Sequence, residues 1–123
     1  MAEKFGELLR RWRTKADRTM GDLAEHLGVS VAYISDVERG NRAPLTADRL
    51  ARAVAFLNIA DPNPLYMAAA DSKGAFELDV ADVSPTAREV GAALMRGWPD
   101  LSDDDLELIR NVLQGRGRRG GKP

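Results

Sequence analysis

Little in this sequence is equipped for covalent chemistry. Its 123 residues include one histidine, His26, and no cysteine, which excludes thiolate catalysis, disulfide staples and a cysteine-based zinc site. His26 falls on the outer face of a helical pattern with no catalytic partner, the setting of an ordinary surface residue. The run Asp103-Asp104-Asp105 falls in the first turn of another helical pattern, where carboxylates complement the positive end of the helix dipole. That accounts for it without a metal. No Ser/His/Asp set, phosphate loop or metal-ligand spacing occurs. The expectation is a protein that is not an enzyme and takes no cofactor or metal. What remains is hydrogen bonding and positive charge around Thr19 to Arg42, where Thr19, Ser30, Arg39, Asn41 and Arg42 flank two short apolar stripes.

Those stripes belong to helices. Phe5, Leu8, Leu9, Trp12 and Ala16 recur at helical spacing, which predicts a first helix over about residues 3–16. Thr19 reads as the N-cap of a second helix with Met20, Leu23, Ala24 and Leu27 on its buried face. Gly28 follows at once, the residue type that most readily takes a left-handed conformation after a helix end. Ser30 caps a third helix carrying Ile34 and Val37, which Gly40-Asn41 stops. Pro44 and Thr46 lead into a fourth, with Leu50, Ala53, Val54 and Leu57 inward.

Two prolines, Pro62 and Pro64, break the chain after that. A short fifth helix over 63–70 closes a first domain, 1–70. Residues 71–84 read as a linker or extended arm, since Ala75 to Val80 alternates apolar and polar. Ser84-Pro85 then supplies an N-cap with proline at the first helical position. Ala87, Val90, Gly91, Leu94 and Trp98 form the stripe of a sixth helix. Pro99 ends it, Ser102 caps a seventh, and Leu106, Ile109, Val112 and Leu113 make that one amphipathic. Residues 85–115 are thus expected to form a helical hairpin. Residues 116–123 carry no apolar group and are expected to be a disordered basic tail.

The pair of helices around Gly28 has a mechanical purpose. A short glycine turn sets the second helix steeply across the first, and the small Ala24 lets the two backbones approach. The result is a rigid pair whose second helix protrudes far enough to enter a DNA major groove. Here the chain resembles the Cro/C1-type, or XRE, helix-turn-helix family. The matching residues are Arg13, the block Asp22-Leu-Ala-Glu-His-Leu-Gly-Val-Ser, the block Tyr33-Ile-Ser-Asp-Val-Glu-Arg-Gly, and Pro44, within residues 5–59. The family usually has glutamine where this chain has Met20, and Gly-Leu where it has Asp17-Arg18.

The resemblance implies an all-α fold: a five-helix Cro/C1-type domain, here followed by the helical hairpin. It places Val31, Ala32, Tyr33 and Asp36 toward the bases. Val31 and Ala32 can offer only apolar contact, best suited to a thymine methyl, and Asp36 can accept from a cytosine amino group. Thr19, Ser30, Arg39, Asn41 and Arg42 are the phosphate candidates. Arg13 and Glu38, again by resemblance, form a structural salt bridge between the first and third helices. None of the base-facing set offers an arginine to guanine, so the site would be read partly through DNA shape.

Charge divides along the same boundaries. Residues 1–60 carry 10 Lys/Arg against 8 Asp/Glu, residues 61–115 carry 4 against 11, and residues 116–123 carry 4 against none. A mildly basic head suits double-stranded DNA; the acidic middle suits a protein partner. Two helices alone bury too little to stand free, so the hairpin must pack on the first domain or on another chain. The expectation is a homodimer through Leu94, Trp98, Leu106, Ile109 and Leu113, and the alternative is a cap on its own first domain. No apolar run approaches the roughly 20 residues of a membrane span, and the first residues lack a signal-peptide layout. The expectation is therefore a cytoplasmic, nucleoid-associated regulator of a prokaryote or phage, most simply a repressor on a roughly palindromic operator. The alternative is an antitoxin or adaptor using the same fold for protein binding.

Overall fold

A computed structural model describes the backbone of residues 4–120 and the side chains of residues 4–115. Among the described residues there is no strand. The elements are α1 (Phe5–Lys15), α2 (Met20–Leu27), α3 (Val31–Arg39), α4 (Ala47–Phe56), α5 (Asn63–Lys73), α6 (Pro85–Gly97) and α7 (Asp103–Gly120), with a 3-10 turn at Trp98–Asp100. The chain divides into two compact units, Met1–Asp79 and Val80–Pro123. The fold is all-α.

In the first unit one core is built from every helix. Phe5, Leu8 and Leu9 of α1 meet Leu23, Ala24 and Leu27 of α2, Ile34 and Val37 of α3, Leu50 and Ala53 of α4, and Leu65, Ala68 and Ala69 of α5. Leu45, Leu57 and Ile59 seal it from the loops. Helix α1 packs on α3 and α5, and α2 packs on α3 and α4. Met20 is half-buried against this core, so the methionine that stands where the family usually has glutamine contributes packing. Asp17 (φ 59°) and Asn58 (φ 55°) take left-handed conformations just after α1 and α4. A short polar side chain tolerates that region better than a branched one.

Helix α5 runs to Lys73, three residues beyond the expected 70, and ends at Gly74 in a left-handed conformation, φ 73°. Residue 75 is a bend and residues 76–80 form no helix or strand. Alternation alone does not make a sheet, because a lone strand leaves its backbone groups unpaired. Helix α7 continues to Gly120, whereas the sequence predicts a disordered tail from residue 116. Extending a formed helix costs far less than nucleating one. Residues 121–123 of that predicted tail lie outside the described residues.

The second unit is different in kind. Ser84 caps α6, its hydroxyl accepting from the Ala87 amide at 3.1 Å, and Ser102 caps α7 in the same way from the Asp105 amide. Local signals thus set both helix starts. Yet no described side chain of this unit is buried; Leu94, Leu101 and Leu106 are half-exposed, and Val90, Met95, Trp98, Leu108, Val112 and Leu113 are exposed. Its apolar stripes have no core of their own.

Candidate nucleic-acid interface

The start of α2 is fixed by a reciprocal pair of bonds. The Thr19 hydroxyl accepts from the Asp22 amide at 3.0 Å, and the Asp22 carboxylate accepts from the Thr19 amide at 2.9 Å. Hydrogen bonding to its carboxylate from the Thr19 amide, and after it from the Thr19 hydroxyl, holds the Asp22 carboxyl below its ordinary pKa. At the other end Gly28 takes φ 71°, and the Val29 amide donates back to the Ala24 carbonyl at 3.0 Å. One residue later the Ser30 hydroxyl accepts from the Tyr33 amide at 3.0 Å and starts α3. Two caps and one left-handed glycine therefore set the angle between α2 and α3.

Helix α3 is then tied down from behind. Arg13 of α1 donates from Nε to Glu38 Oε2 at 2.7 Å and from Nη2 to Oε1 at 3.0 Å. Its remaining nitrogen donates to the Arg18 carbonyl at 2.8 Å. The pair is largely withdrawn from water, with side chains 11% and 5% exposed. Hydrogen bonding from Glu38 raises the Arg13 pKa still further, so the guanidinium keeps its charge. Beside the pair, Gly6 of α1 lies against the end of α3. A Cβ there would stand 2.5 Å from the Val37 carbonyl oxygen and closer still to that of Glu38.

The opposite face of α3 is open. Val31 and Ala32 are exposed at its N-terminus, with Val31 at 49%. Tyr33 is half-buried, its ring against the core edge. The guanidiniums of Arg42 and Arg49 stand over that ring at 5.3 and 5.2 Å, within cation–π range. Arg49 also donates to the Tyr33 hydroxyl at 3.2 Å. Asp36 reaches two cations, Arg39 Nη2 at 2.7 Å and Arg42 Nε at 3.9 Å. Asn41 is exposed, just beyond Gly40, which ends α3 in a left-handed conformation, φ 81°. Tyr33, Asp36, Arg39, Arg42 and Arg49 thus form one connected group, while Thr19 and Ser30 hold the two helix starts.

Two members of this arrangement are absent from the sequence reading. Arg49 joins Tyr33 across 16 residues, and only the packing of α4 brings them together. Gly6 had a signal: a glycine inside an apolar helical stripe costs helix stability unless it serves a close approach. His26 is exposed and its ring stacks on Phe56 at 4.2 Å. Among the described residues no group of His, Cys, Asp and Glu could hold a metal ion, and no helix is long and apolar enough to cross a membrane.

A capped helix, a glycine turn and a second helix standing out from a small helical core define a helix-turn-helix domain. Residues 4–64, about half the chain, match the family model described as a helix-turn-helix domain. The chain belongs, through this domain, to the helix-turn-helix family. Over 47 residues it is 47% identical to an uncharacterized HTH-type transcriptional regulator of Archaeoglobus fulgidus, a match covering 38% of this chain and 20% of that protein. The chain therefore spans about one fifth of the length of this relative. It is also similar to a chain of the solved SINR protein/SINI protein complex, with TM-score 0.45 and 19% identity over 96% of this chain and 99% of that one.

Proposed function

We propose that this protein is a repressor that binds a roughly palindromic operator in double-stranded DNA as a homodimer, in the cytoplasm of a prokaryote or phage. One observation carries the DNA reading: the N-terminal face of α3 is open while its rear is held by the buried Arg13–Glu38 pair. A rigid, protruding helix is what entry into the major groove requires. Val31 and Ala32 would meet thymine methyls, with Tyr33 and Asp36 beside them. The caps at Thr19 and Ser30, together with Arg39, Asn41 and Arg42, would grip phosphates and fix the register. Occupying an operator excludes other proteins from it, so repression is the simplest output.

The homodimer rests on the second unit. Helix α7 and the 3-10 turn before it leave Trp98, Val112 and Leu113 in water, and exposed apolar stripes of that extent are unfavourable unless a partner covers them. A second copy of the same unit offers the same stripes, so Leu94, Trp98, Leu106, Ile109 and Leu113 would be the contact. The acidic composition of residues 61–115 favours a second reading, a module for a basic protein partner.

Selection of bound fragments from random duplex DNA at modest salt separates the two. Enrichment of a two-fold symmetric motif is the expected result. Failure to enrich any motif would defeat the regulator reading and leave the interaction module.

A further inference from the structure

The carboxylate of Asp36 is the one anionic group in the connected set on the open side of α3. Its two oxygens face Arg39 and Arg42, and Arg42 and Arg49 both lie over Tyr33. The pairs are exposed: the side chains of Arg39, Arg42 and Asp36 are 62%, 57% and 34% exposed. Ion pairs so open to water add little to folding, and the backbone bond from the Asn41 amide to the Asp36 carbonyl, 2.8 Å, ends α3 without the side chain. The carboxylate therefore has no strong structural task. Its position nonetheless has a cost for any contact with a polyanion, since it repels phosphate and competes with phosphate for two arginines.

We propose that Asp36 determines specificity by repulsion, holding Arg39 and Arg42 back from phosphates on duplexes whose bases cannot satisfy its carboxylate. This rests on the DNA-binding reading and deepens it. Every sequence presents the same phosphates, so a face made only of arginines would bind all duplexes alike. A carboxylate carried to the groove loses its water. It is compensated only where a base edge offers an amino donor, from cytosine or adenine, at the right step. Elsewhere it is left unpaired while its arginines are divided between two anions. Discrimination then comes from a penalty on wrong sites rather than from a stronger grip on the right one.

The test uses the full chain and its Asp36→Asn variant, titrated by fluorescence anisotropy against a random-sequence duplex and the selected operator over a range of salt. The variant is expected to bind the random duplex several-fold more tightly. Its log affinity should fall more steeply with log salt, by about one unit, as an arginine is released to phosphate. Affinity for the operator should rise less or fall, so the ratio of specific to non-specific binding drops. Adding Arg39→Ala should cancel the gain on random duplex. Asp36→Ser provides a second carboxylate-free variant, and thermal unfolding checks that each is folded. Unchanged or weaker binding to random duplex by both variants overturns the inference, even if operator binding falls, because Asp36 would then be an ordinary base contact. A wild-type chain that binds no duplex at low salt overturns the DNA reading and this inference together; a wild-type chain that enriches a motif leaves only the inference at stake.

Discussion

The guanidinium of Arg13 meets the carboxylate of Glu38 along two edges, at 2.7 and 3.0 Å, and joins α1 to the end of α3. Two charges are held out of water and each depends on the other. Removing one partner strands the other, which costs far more than the net worth of the pair. Arg13→Ala and Glu38→Ala are each expected to lower stability by about 3–5 kcal/mol. The double replacement Arg13→Met with Glu38→Leu should recover most of that loss. Urea unfolding of the three variants measures this, and a double variant as unstable as the singles would contradict it.

Gly6 supports the same contact by lacking a side chain. With the Val37 carbonyl oxygen 2.5 Å from where a Cβ would stand, backbone and not a flexible side chain would have to move. Gly6→Ala is expected to destabilise the chain by about 1–3 kcal/mol, the usual cost of overpacking, although alanine is the better helix former. Thermal unfolding reads the sign directly: a stabilised variant would show that α1 and α3 do not approach as closely as described.

Local signals in the sequence locate the helices; long-range partners are not visible there. Thr19, Ser30, Ser84 and Ser102 each cap the helix that follows, because capping depends on residues three apart. The end of α5 at Lys73 was not legible, since Asp71 and Ser72 interrupt the apolar pattern although the helix continues to Gly74. In the candidate site the two-helix scaffold follows from Gly28 and the spacing around it. Arg13 and Glu38 are 25 residues apart, and no periodicity joins them; only the family resemblance does. The group around Tyr33 depends on Arg49 from another helix, so spacing within α3 cannot reveal it.

The capping box at α2 makes a prediction about acid. The Thr19 amide and hydroxyl hold the Asp22 carboxyl below its ordinary value of 3.8. A carboxyl depressed in the folded state contributes stability that is fully present above the unfolded value. That contribution is lost as pH falls from 3.8 through the folded value. Asp22→Asn should therefore be less stable than the parent at neutral pH, with the gap closing below pH 3.8. Melting curves of both proteins across that range test it; a gap independent of pH would remove the linkage.

Arg49 stands over the Tyr33 ring and donates to its hydroxyl. If its place in the group serves phosphate, Arg49→Ala will weaken binding to all duplexes by a similar factor and reduce the salt slope by about one. Tyr33→Phe keeps the ring beneath both guanidiniums and removes only the acceptor at 3.2 Å, so it should have the smaller effect. Anisotropy titrations with operator and random duplex compare the two. A loss confined to the operator would assign Arg49 to base recognition through Tyr33 instead.

The second unit yields the last prediction. Two copies reading a palindrome must place their α3 helices about 34–36 Å apart, one turn of DNA, and an element that fixes this spacing must survive without DNA. Along the stripe, Leu106 is half-exposed and Ile109 is 36% exposed, so covering it is the available source of dimer stability. Leu106→Asp with Ile109→Asp should convert a dimer to a monomer in sedimentation equilibrium without lowering the melting temperature of the first unit. Binding to the full operator should then fall by orders of magnitude, because linked half-sites gain from effective concentration. Affinity for an isolated half-site should stay where it was. A dimer that persists in the double variant would move the interface away from this stripe, and a parent that is already monomeric would leave its apolar faces to a different protein.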